Sequence, residues 1–233
     1  MIYAQILAGG KGTRMGNVPM PKQFLPLADK PILIHTIEKF ILEHRFTAII
    51  VSCPSDWLSH TTDLIQKYIH DDRVQIVSGG ADRNETLMKG IAFIHEHFGE
   101  HADDILVTHD AVRPFVTQRI IHDNIEAVLT HDAVDTVIPA TDTIVQSAAE
   151  TIDAIPVRAT MYQGQTPQSF KIATLVKSYA SLTAEQKAGL TDTCKIVLLA
   201  GYPVSQVRGE NFNLKITTPY DLRMATALVE ERS

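Results

Sequence analysis

Short runs of apolar, mostly β-branched residues recur along the chain, and longer stretches with a helical period separate them. The first four runs are almost continuously apolar, which is typical of strands covered on both faces of a sheet. The pattern predicts strands at Ile2–Leu7, 48–52, 74–78, 105–109 and 134–140.

Apolar residues at helical spacing lie between these runs and predict helices in the connections. The residues that form two of these apolar faces are Leu33, Ile37, Phe40 and Ile41 in one helix and Leu87, Ile91, Ile94 and Phe98 in another. Pro31 suits the first helical position of the earlier helix. Thr218 as N-cap, Pro219 at the first position and Asp221 in a capping-box-like position predict a last helix that ends near Glu231.

Strands that alternate with helices in this way predict one α/β domain over residues 1–233, built on a doubly wound, mostly parallel sheet. In such sheets ligands bind beyond the carboxyl ends of the strands. Residues 141–168 break the alternation with short polar and β-branched pieces. They predict a protruding β-arm inserted in the domain, which would be a natural dimerisation element.

The charge and the ends of the chain exclude several classes of partner. The chain has 21 Lys and Arg against 27 Asp and Glu, a formal net charge of −6, and no basic block. We therefore expect no nucleic acid and no membrane as a partner, since both need a concentrated positive field. No apolar run could span a bilayer and no signal-peptide pattern follows Met1, so we expect a cytoplasmic protein. The two cysteines, Cys53 and Cys194, are expected to be buried free thiols.

A glycine-rich segment, from Ala8 to Gly16, directly follows the first predicted strand. Closely spaced glycines let backbone N–H groups approach a phosphate, although a tight turn without function would use the same residues. The segment matches neither the Walker A motif nor GxGxxG. The cations Arg14 and Lys22 in and after it favour a polyphosphate ligand.

Asp110 directly follows the fourth predicted strand, in the sequence His109-Asp110-Ala111-Val112-Arg113-Pro114. A carboxylate at the end of a buried strand is unfavourable unless it is solvated, paired or metal-bound. We expect Asp110 to bind Mg²⁺, with a helix N-cap or loop carboxylate as the alternative. Arg113 is either an ion-pair partner or a phosphate ligand.

Two other classes of function remain open at this point. A nicotinamide-dependent oxidoreductase would use a similar sheet, but the second strand runs into Ser52-Cys53-Pro54, without the acidic residue that binds ribose. A nucleotide-sensing module without activity would keep its nucleotide affinity when Asp110 is lost. His95, His97 and His101 do not form an HExxH motif and are expected on a solvated helix face.

Seven short motifs, in order over nearly the whole chain, resemble those of the cytidylyltransferases that make CDP-alditols and CDP-methylerythritol. They are the glycine-rich segment with Arg14-Met15, Pro21-Lys22-Gln23, Gly79-Gly80 with Arg83 and Thr86, His109 to Pro114, Thr166-Pro167-Gln168, Thr191-Asp192 and Asn213 to Thr217. The opening and closing segments are most similar to the branch that acts on ribitol 5-phosphate in teichoic-acid synthesis, with the methylerythritol-phosphate branch as the alternative.

The resemblance implies a Rossmann-like, GT-A-like nucleotidyltransferase fold, Mg²⁺ as cofactor, and CTP and an alditol phosphate as substrates. It also implies a homodimer formed through the arm and a partner reductase that supplies ribitol 5-phosphate.

The resemblance further implies a role for each matched residue. The residues expected to bind CTP are Leu7, Ala8, Gly9, Gly10, Gly12, Gly80, Ala81, Arg83, Thr86, Asp110 and Ala111. The residues expected to be catalytic, through the phosphates, are Arg14, Lys22 and Lys215, and Asp110 is expected to hold the metal. The residues expected to meet the alditol phosphate are Arg113, Thr143, Arg158 and Thr191, with Thr143 and Arg158 coming from the arm.

Three positions depart from the methylerythritol branch of this family. Phe212 stands before Asn213 where that branch has an Asp, so a second carboxylate ligand for the metal is left open. The segment Leu7-Ala8-Gly9-Gly10 replaces Pro-Ala-Ala-Gly, and Thr191-Asp192-Thr193-Cys194 replaces Thr-Asp-Asp/Glu-Ala. The last two differences favour the ribitol branch.

Overall fold

A seven-stranded sheet forms the centre of the molecule. The computed structural model describes residues 1–10, 15 and 20–230. The strands are β1 (Ile2–Leu7), β2 (Pro26–Leu27), β3 (Lys30–Pro31), β4 (Ala48–Cys53), β5 (Val74–Ser78), β6 (Ile105–Asp110), β7 (Ala133–Pro139), β8 (Tyr162–Lys171) and β9 (Ser205–Arg208). The helices are α1 (Ile32–Ile41), α2 (Leu58–Tyr68), α3 (Arg83–Phe98), α4 (Gln118–Thr130), α5 (Ile172–Ser181), α6 (Ala184–Ala188), α7 (Thr193–Leu199) and α8 (Pro219–Glu230).

The order of strands in the large sheet is β5-β4-β1-β6-β8-β7-β9. Neighbouring strands are parallel except at β8, which runs antiparallel to both β6 and β7. This confirms the mostly parallel sheet that the sequence predicts. The carboxyl ends of β1, β4, β5, β6 and β7 therefore meet at one edge of the sheet.

Helices cover both faces of the sheet, as a doubly wound fold requires. Apolar residues of α1, α2 and α4 form one core with the sheet, and residues of α3, α5 and α7 form a second core on the opposite face. The helix α8 packs apart from both, against Leu27, Ile32, Val112 and Phe115. Within the part of the chain described here, no helix combines the length and the apolar character needed to cross a membrane.

A close contact between α3 and β1 fixes the helix that begins the candidate site. Gln5 is fully buried in β1, and its Nε2 donates to Ser52 Oγ (2.9 Å) and to the carbonyl oxygen of Thr86 (2.9 Å). A Cβ atom on Gly90 of α3 would lie 2.1 Å from that Nε2, so only glycine allows the helix to approach this closely. The amino terminus of α3 is thereby held at the carboxyl edge of the sheet.

Most of the predicted elements are found with small shifts at their ends. All five predicted strands are present, and β6 includes Asp110. The helix α1 begins at Ile32, so Pro31 occupies the N-cap instead of the first helical position. The start of α8 is confirmed, because the backbone N–H groups of Thr217 and Thr218 donate to Asp221 Oδ2 (both 2.8 Å).

The predicted boundary of the arm is wrong at its carboxyl end. Residues 162–168 belong to β8, a strand inside the large sheet, and not to the arm. The segment between β7 and β8 is mostly exposed, and an isolated antiparallel bridge joins Gln146 to Ala154 within it. Sequence patterns do not reveal β8 because Gly164 and Pro167 are disfavoured inside strands and because its buried half is rich in polar residues.

Candidate active site

Backbone segments that follow β1 and β5 face each other across a cleft. Residues 8–10 come directly after β1, and Gly80 follows β5. A Cβ atom on Gly80 would lie 2.4 Å from Glu85 Cβ, so glycine is required for the chain to pass this close to α3. The N–H of Gly80 donates to Thr86 Oγ1 (2.9 Å), which fixes the segment against the first turn of α3. Free N–H groups at a helix amino terminus attract anions.

These segments bound a cavity of about 940 Å³ at the carboxyl ends of the strands. The cavity is large enough for a nucleotide-sized ligand. The sequence-predicted residues that line it are Leu7, Ala8, Gly9, Gly10, Lys22, Gly80, Ala81, Arg83, Thr86, Asp110, Ala111 and Lys215. The fold thus brings together residues from five separate stretches of the chain at the edge where the sequence predicts a ligand.

Asp110 lies at the floor of this cavity, surrounded by three cationic side chains. Its Oδ1 lies 2.8 Å from Arg83 Nη1, and its Oδ2 lies 2.8 Å from Lys215 Nζ and 3.5 Å from Arg113 Nε. Burial alone would raise the pKa of Asp110, but the charges of Arg83, Lys215 and Arg113 outweigh it and hold the pKa well below its usual range. The carboxylate is therefore ionised, and it balances a positive field that suits phosphate groups.

His109 precedes Asp110 in β6, and its ring does not titrate near neutral pH. Its burial lowers the pKa to about 4, so the ring is neutral. Its Nε2 lies 3.1 Å from the carbonyl oxygen of Arg113, and its Nδ1 lies 2.9 Å from Thr166 Oγ1. The same Thr166 oxygen accepts from the N–H of Asp110 (3.1 Å). This network ties the end of β6 to β8 and fixes the backbone of Asp110.

A second network positions the segment that carries Lys215. Asn213 is fully buried, and its Nδ2 donates to the carbonyl oxygen of Thr166 (2.9 Å) and to Gln165 Oε1 (3.2 Å). Its own carbonyl oxygen accepts from Arg113 Nη1 (2.7 Å). The segment is thus attached to the sheet two residues before Lys215, which places the ammonium group beside Asp110.

Lys22 enters the cavity from a short 3₁₀ turn, Lys22–Phe24. The next residue, Gln23, donates from Nε2 to the carbonyl oxygen of Ala8. The Phe24 ring stacks on Trp57 with a centroid distance of 5.1 Å. These contacts connect the turn to the glycine-rich segment and to the α2 side of the cleft, so Lys22 is held by packing on both sides.

Four of the predicted residues do not line the cavity, and two others, Gly12 and Arg14, lie outside the described residues. Arg113 lies behind Asp110 and is buried, whereas Thr143, Arg158 and Thr191 are exposed and do not line the cavity. Arg158 Nη1 donates to the carbonyl oxygen of Thr141, within the arm (3.2 Å).

Some residues at or near the cavity carry no recognisable signal of their own in the sequence. Lys89 and Ser55 line it, one from the exposed face of α3 and one from the turn after β4. Thr166 stands within a motif that was recognised, but its contact with Asp110 is visible only when β8 pairs with β6. Asp135 carries no sequence signal, since a single acid inside a strand pattern is usually solvated.

The fold and the cleft together define a nucleotide-dependent transferase. Glycine-lined backbone and a helix amino terminus face a carboxylate surrounded by cations, at the ligand-binding edge of an α/β sheet.

Comparison with known proteins gives the family. The family model for 2-C-methyl-D-erythritol 4-phosphate cytidylyltransferase matches residues 2–231, and the chain belongs to this family of nucleotidyltransferases. A ribitol-5-phosphate cytidylyltransferase from Lactiplantibacillus plantarum is 71% identical over 233 residues, with 100% of both chains covered. The family resemblance seen in the sequence motifs is therefore confirmed.

Solved structures of related enzymes have the same fold at lower identity. The 4-diphosphocytidyl-2C-methyl-D-erythritol synthase of Anaerococcus prevotii has a TM-score of 0.81 at 25% identity, and the alignment covers 98% of this chain and 96% of that one. The 2-C-methyl-D-erythritol 4-phosphate cytidylyltransferase of Francisella tularensis has a TM-score of 0.80 at 27% identity, with 97% and 98% covered.

Proposed function

We propose that this protein transfers the cytidylyl group of CTP to D-ribitol 5-phosphate, which gives CDP-ribitol and pyrophosphate. The observation that carries the proposal is the 71% identity, over the full length of both chains, to a ribitol-5-phosphate cytidylyltransferase. The two solved methylerythritol-phosphate enzymes named above are 25% and 27% identical to the chain. The cavity supports the proposal because its charges suit a triphosphate.

The reaction is an in-line displacement at the α-phosphorus of CTP. A phosphate oxygen of the acceptor forms the new P–O bond, and the bond between the α-phosphorus and the β-bridging oxygen breaks as pyrophosphate leaves. The attacking phosphate is already ionised at neutral pH, so the protein supplies no general base. Catalysis then depends on positioning and on stabilising the charge of the phosphoryl oxygens.

The cations of the cavity stabilise the phosphate groups of CTP from two sides. Lys22, together with Arg14, neutralises the α-phosphoryl oxygens as charge develops on them. Arg83 and Lys215 reach the phosphates from the Asp110 side, where both already lie 2.8 Å from its carboxylate. Backbone N–H groups of residues 8–10 and 80–81 hold the triphosphate and the nucleoside.

Mg²⁺ fits this site through Asp110. Magnesium is usually bound by one or two carboxylates together with phosphate oxygens of the substrate, so a single carboxylate at the floor of a triphosphate cavity is a suitable donor set. Asp110 is ionised and its cationic neighbours can transfer to the incoming phosphates. When bound, the metal neutralises the leaving pyrophosphate.

The acceptor site extends away from the nucleotide cavity toward Arg113 and Thr191. Thr143 and Arg158 are exposed on the arm and do not line the cavity of their own chain. Exposed apolar side chains on the same segment, at Ile152 and Ile155, support an interface there. We therefore propose a homodimer in which the arm of each copy completes the acceptor site of the other.

The product defines the proposed setting of the enzyme. We propose that CDP-ribitol serves as an activated polyol phosphate for the synthesis of teichoic acid in the cell wall and that it is made in the cytoplasm. A reductase that reduces a ketopentose phosphate is the class of enzyme that must supply the acceptor.

The proposal is tested by incubating the purified protein with CTP, Mg²⁺ and D-ribitol 5-phosphate and identifying the product by mass spectrometry. We expect CDP-ribitol and an equal amount of pyrophosphate, and neither in the presence of EDTA. Absence of CDP-ribitol from the complete mixture would contradict the proposal.

A further inference from the structure

A second polar cluster lies beside the nucleotide cavity, on the face of the sheet that α7 covers. Asp135 of β7, Asp192 at the N-cap of α7, and Cys194 bring their side-chain oxygen and sulfur atoms within 4.8 Å of one another. Gln168 of β8 is fully buried, and its Nε2 donates to Asp135 Oδ1 (3.0 Å) and to Asp192 Oδ2 (2.7 Å). We call Asp135, Gln168 and Asp192 the acid–amide cluster.

The acid–amide cluster has more hydrogen-bond acceptors than donors. Both amide hydrogens of Gln168 are used by the two carboxylates, and its Oε1 is buried without a hydrogen-bond partner. A buried acceptor without a donor in the protein is able to accept a hydrogen bond from a bound molecule. Burial and the charge of Asp192 also raise the pKa of Asp135, to about 6. The cluster is therefore suited to a ligand that presents several donors.

The cluster opens toward the same edge of the sheet as the nucleotide cavity. A Cβ atom on Gly164 would lie 3.9 Å from Asp135 Oδ2, and Gly164 is exposed on the half of β8 that pairs with the carboxyl end of β7. Arg113, which pairs with Asp110, acts electrostatically on Asp135. At the other end, Asp192 directly follows Thr191. Gln168 stands opposite Thr108 of β6, two residues before Asp110, so the acid–amide cluster lies beside the strand end that forms the floor of the nucleotide cavity.

We propose that the acid–amide cluster binds the polyol chain of the acceptor, with Asp135 and Asp192 accepting hydrogen bonds from its hydroxyl groups. The inference rests on the proposed function and adds to it the residues that bind the hydroxyl groups of the acceptor. A phosphate held by the cations around Asp110 leaves the rest of an alditol phosphate to extend toward the acid–amide cluster. Vicinal hydroxyls are strong donors to carboxylates, and a site built for them rejects acceptors that lack them.

The geometry favours a polyol over a metal ion at this cluster. Gln168 Nε2 lies between the two carboxylates, in the space where a shared cation would have to sit. Cys194 is buried, and burial raises the pKa of its thiol well above the usual value, so a metal would have to displace the thiol proton at a site that disfavours the thiolate. Hydroxyl groups can reach the remaining carboxylate lone pairs without displacing the amide.

The test compares Asp135→Asn with wild type in steady-state kinetics, varying D-ribitol 5-phosphate and CTP separately. Asp132→Asn is the matched control, because Asp132 is exposed three positions earlier in the chain. We expect Asp135→Asn to raise the KM for D-ribitol 5-phosphate about tenfold or more, as loss of a charge-assisted hydrogen bond does. The KM for CTP should stay within about twofold of wild type, and the control should match wild type in both.

A second variant tests the same inference in case Asp135→Asn does not fold. Gly164→Val places methyl groups on the exposed approach to Asp135 Oδ2 without touching the amide, and valine suits a strand. It should raise the KM for D-ribitol 5-phosphate and leave the KM for CTP unchanged.

The outcomes separate this inference from the proposed function. If wild type makes no CDP-ribitol, the proposed function fails and this inference fails with it. If wild type is active and Asp135→Asn has an unchanged KM for the acceptor, or an equal rise in the KM for CTP, only the present inference is overturned. Stoichiometric binding of Zn²⁺ by wild type that Asp135→Asn abolishes would also overturn it, since the cluster would then be a metal site.

Discussion

The ammonium group of Lys215 lies 2.8 Å from the carboxylate of Asp110, although the two residues stand on segments far apart in the sequence. Asp110 ends β6, and Lys215 lies between β9 and α8. Asp110 therefore offsets part of the positive charge that Arg83, Arg113 and Lys215 bring to the cavity. We propose that a bound triphosphate takes the place of the carboxylate as the partner of these cations, which leaves Asp110 available to a metal ion.

Replacing Lys215 tests this exchange of partners. We expect Lys215→Ala to lower kcat by about 10²–10³-fold, the usual effect of removing one group that stabilises transition-state charge. Its free energy of unfolding should change little, because Arg83 and Arg113 still pair with Asp110. Pyrophosphate release and urea unfolding measure the two effects. A variant that loses stability in parallel with activity would show that Lys215 is structural.

Lys22 should contribute at the α-phosphate in a similar way. Lys22→Ala is expected to lower turnover by about 10²–10³-fold, and so is Arg14→Ala, if each acts as one charge-stabilising donor. Lys177→Ala is a suitable control, since Lys177 is exposed on α5 and lies away from the cavity. Turnover of CTP by Lys22→Ala at a rate near wild type would show that the role given to Lys22 is wrong.

Removal of the metal ligand should change the dependence on Mg²⁺. Activity is expected to disappear in EDTA, and Asp110→Asn should raise the Mg²⁺ concentration for half-maximal activity by about tenfold or more, because a neutral amide is a weaker ligand. Asp63→Asn, an exposed substitution on α2, serves as control. Identical Mg²⁺ titrations for Asp110→Asn and wild type would exclude Asp110 as the ligand.

The raised pKa of Asp135 has a consequence for stability. Burial is the main reason that this pKa rises to about 6, whereas an unfolded aspartate titrates near 4. Between these values the folded chain holds a proton that the unfolded chain has lost, so the contribution of Asp135 to stability falls as the pH rises from about 4 to about 6.

Asp135→Asn cannot ionise and escapes this loss. The difference in free energy of unfolding, variant minus wild type, should be up to about 3 kcal/mol larger at about pH 7.5 than at about pH 4, so the variant gains stability relative to wild type as the pH rises. Urea unfolding of both proteins at the two pH values measures the difference, with Asp132→Asn expected to behave as wild type. A difference that does not vary with pH would contradict the raised pKa.

The sequence predicts the parallel part of the sheet because its strands are apolar on both faces. It fails at β8, where Gln165, Thr166, Gln168 and Ser169 are all buried. Each of those side chains makes at least one hydrogen bond to another segment of the chain, such as that from Ser169 Oγ to Asn124 Oδ1 (3.1 Å), and local propensity contains no information on such partners.

The candidate site is predictable to the extent that its residues follow strand ends. Ala8 and Asp110 come directly after apolar runs, so their place at the ligand edge could be inferred from the pattern alone. The sequence could not show that Asp110 meets Lys215 and Arg83, because those contacts require the folded sheet. It also gave no sign of Asp135, whose partners Gln168 and Asp192 come from β8 and α7.

The most direct test of the account is the ratio of kcat/KM for two acceptors, measured as pyrophosphate release with CTP and Mg²⁺. D-ribitol 5-phosphate is compared with 2-C-methyl-D-erythritol 4-phosphate, each with an EDTA control. We predict a ratio of at least about 100 in favour of D-ribitol 5-phosphate, since the methylerythritol acceptor has a shorter chain with one hydroxyl fewer, and a site built to bind a hydroxyl rejects an acceptor that lacks it. A ratio that favours 2-C-methyl-D-erythritol 4-phosphate would contradict the account and assign the enzyme to the other branch of its family.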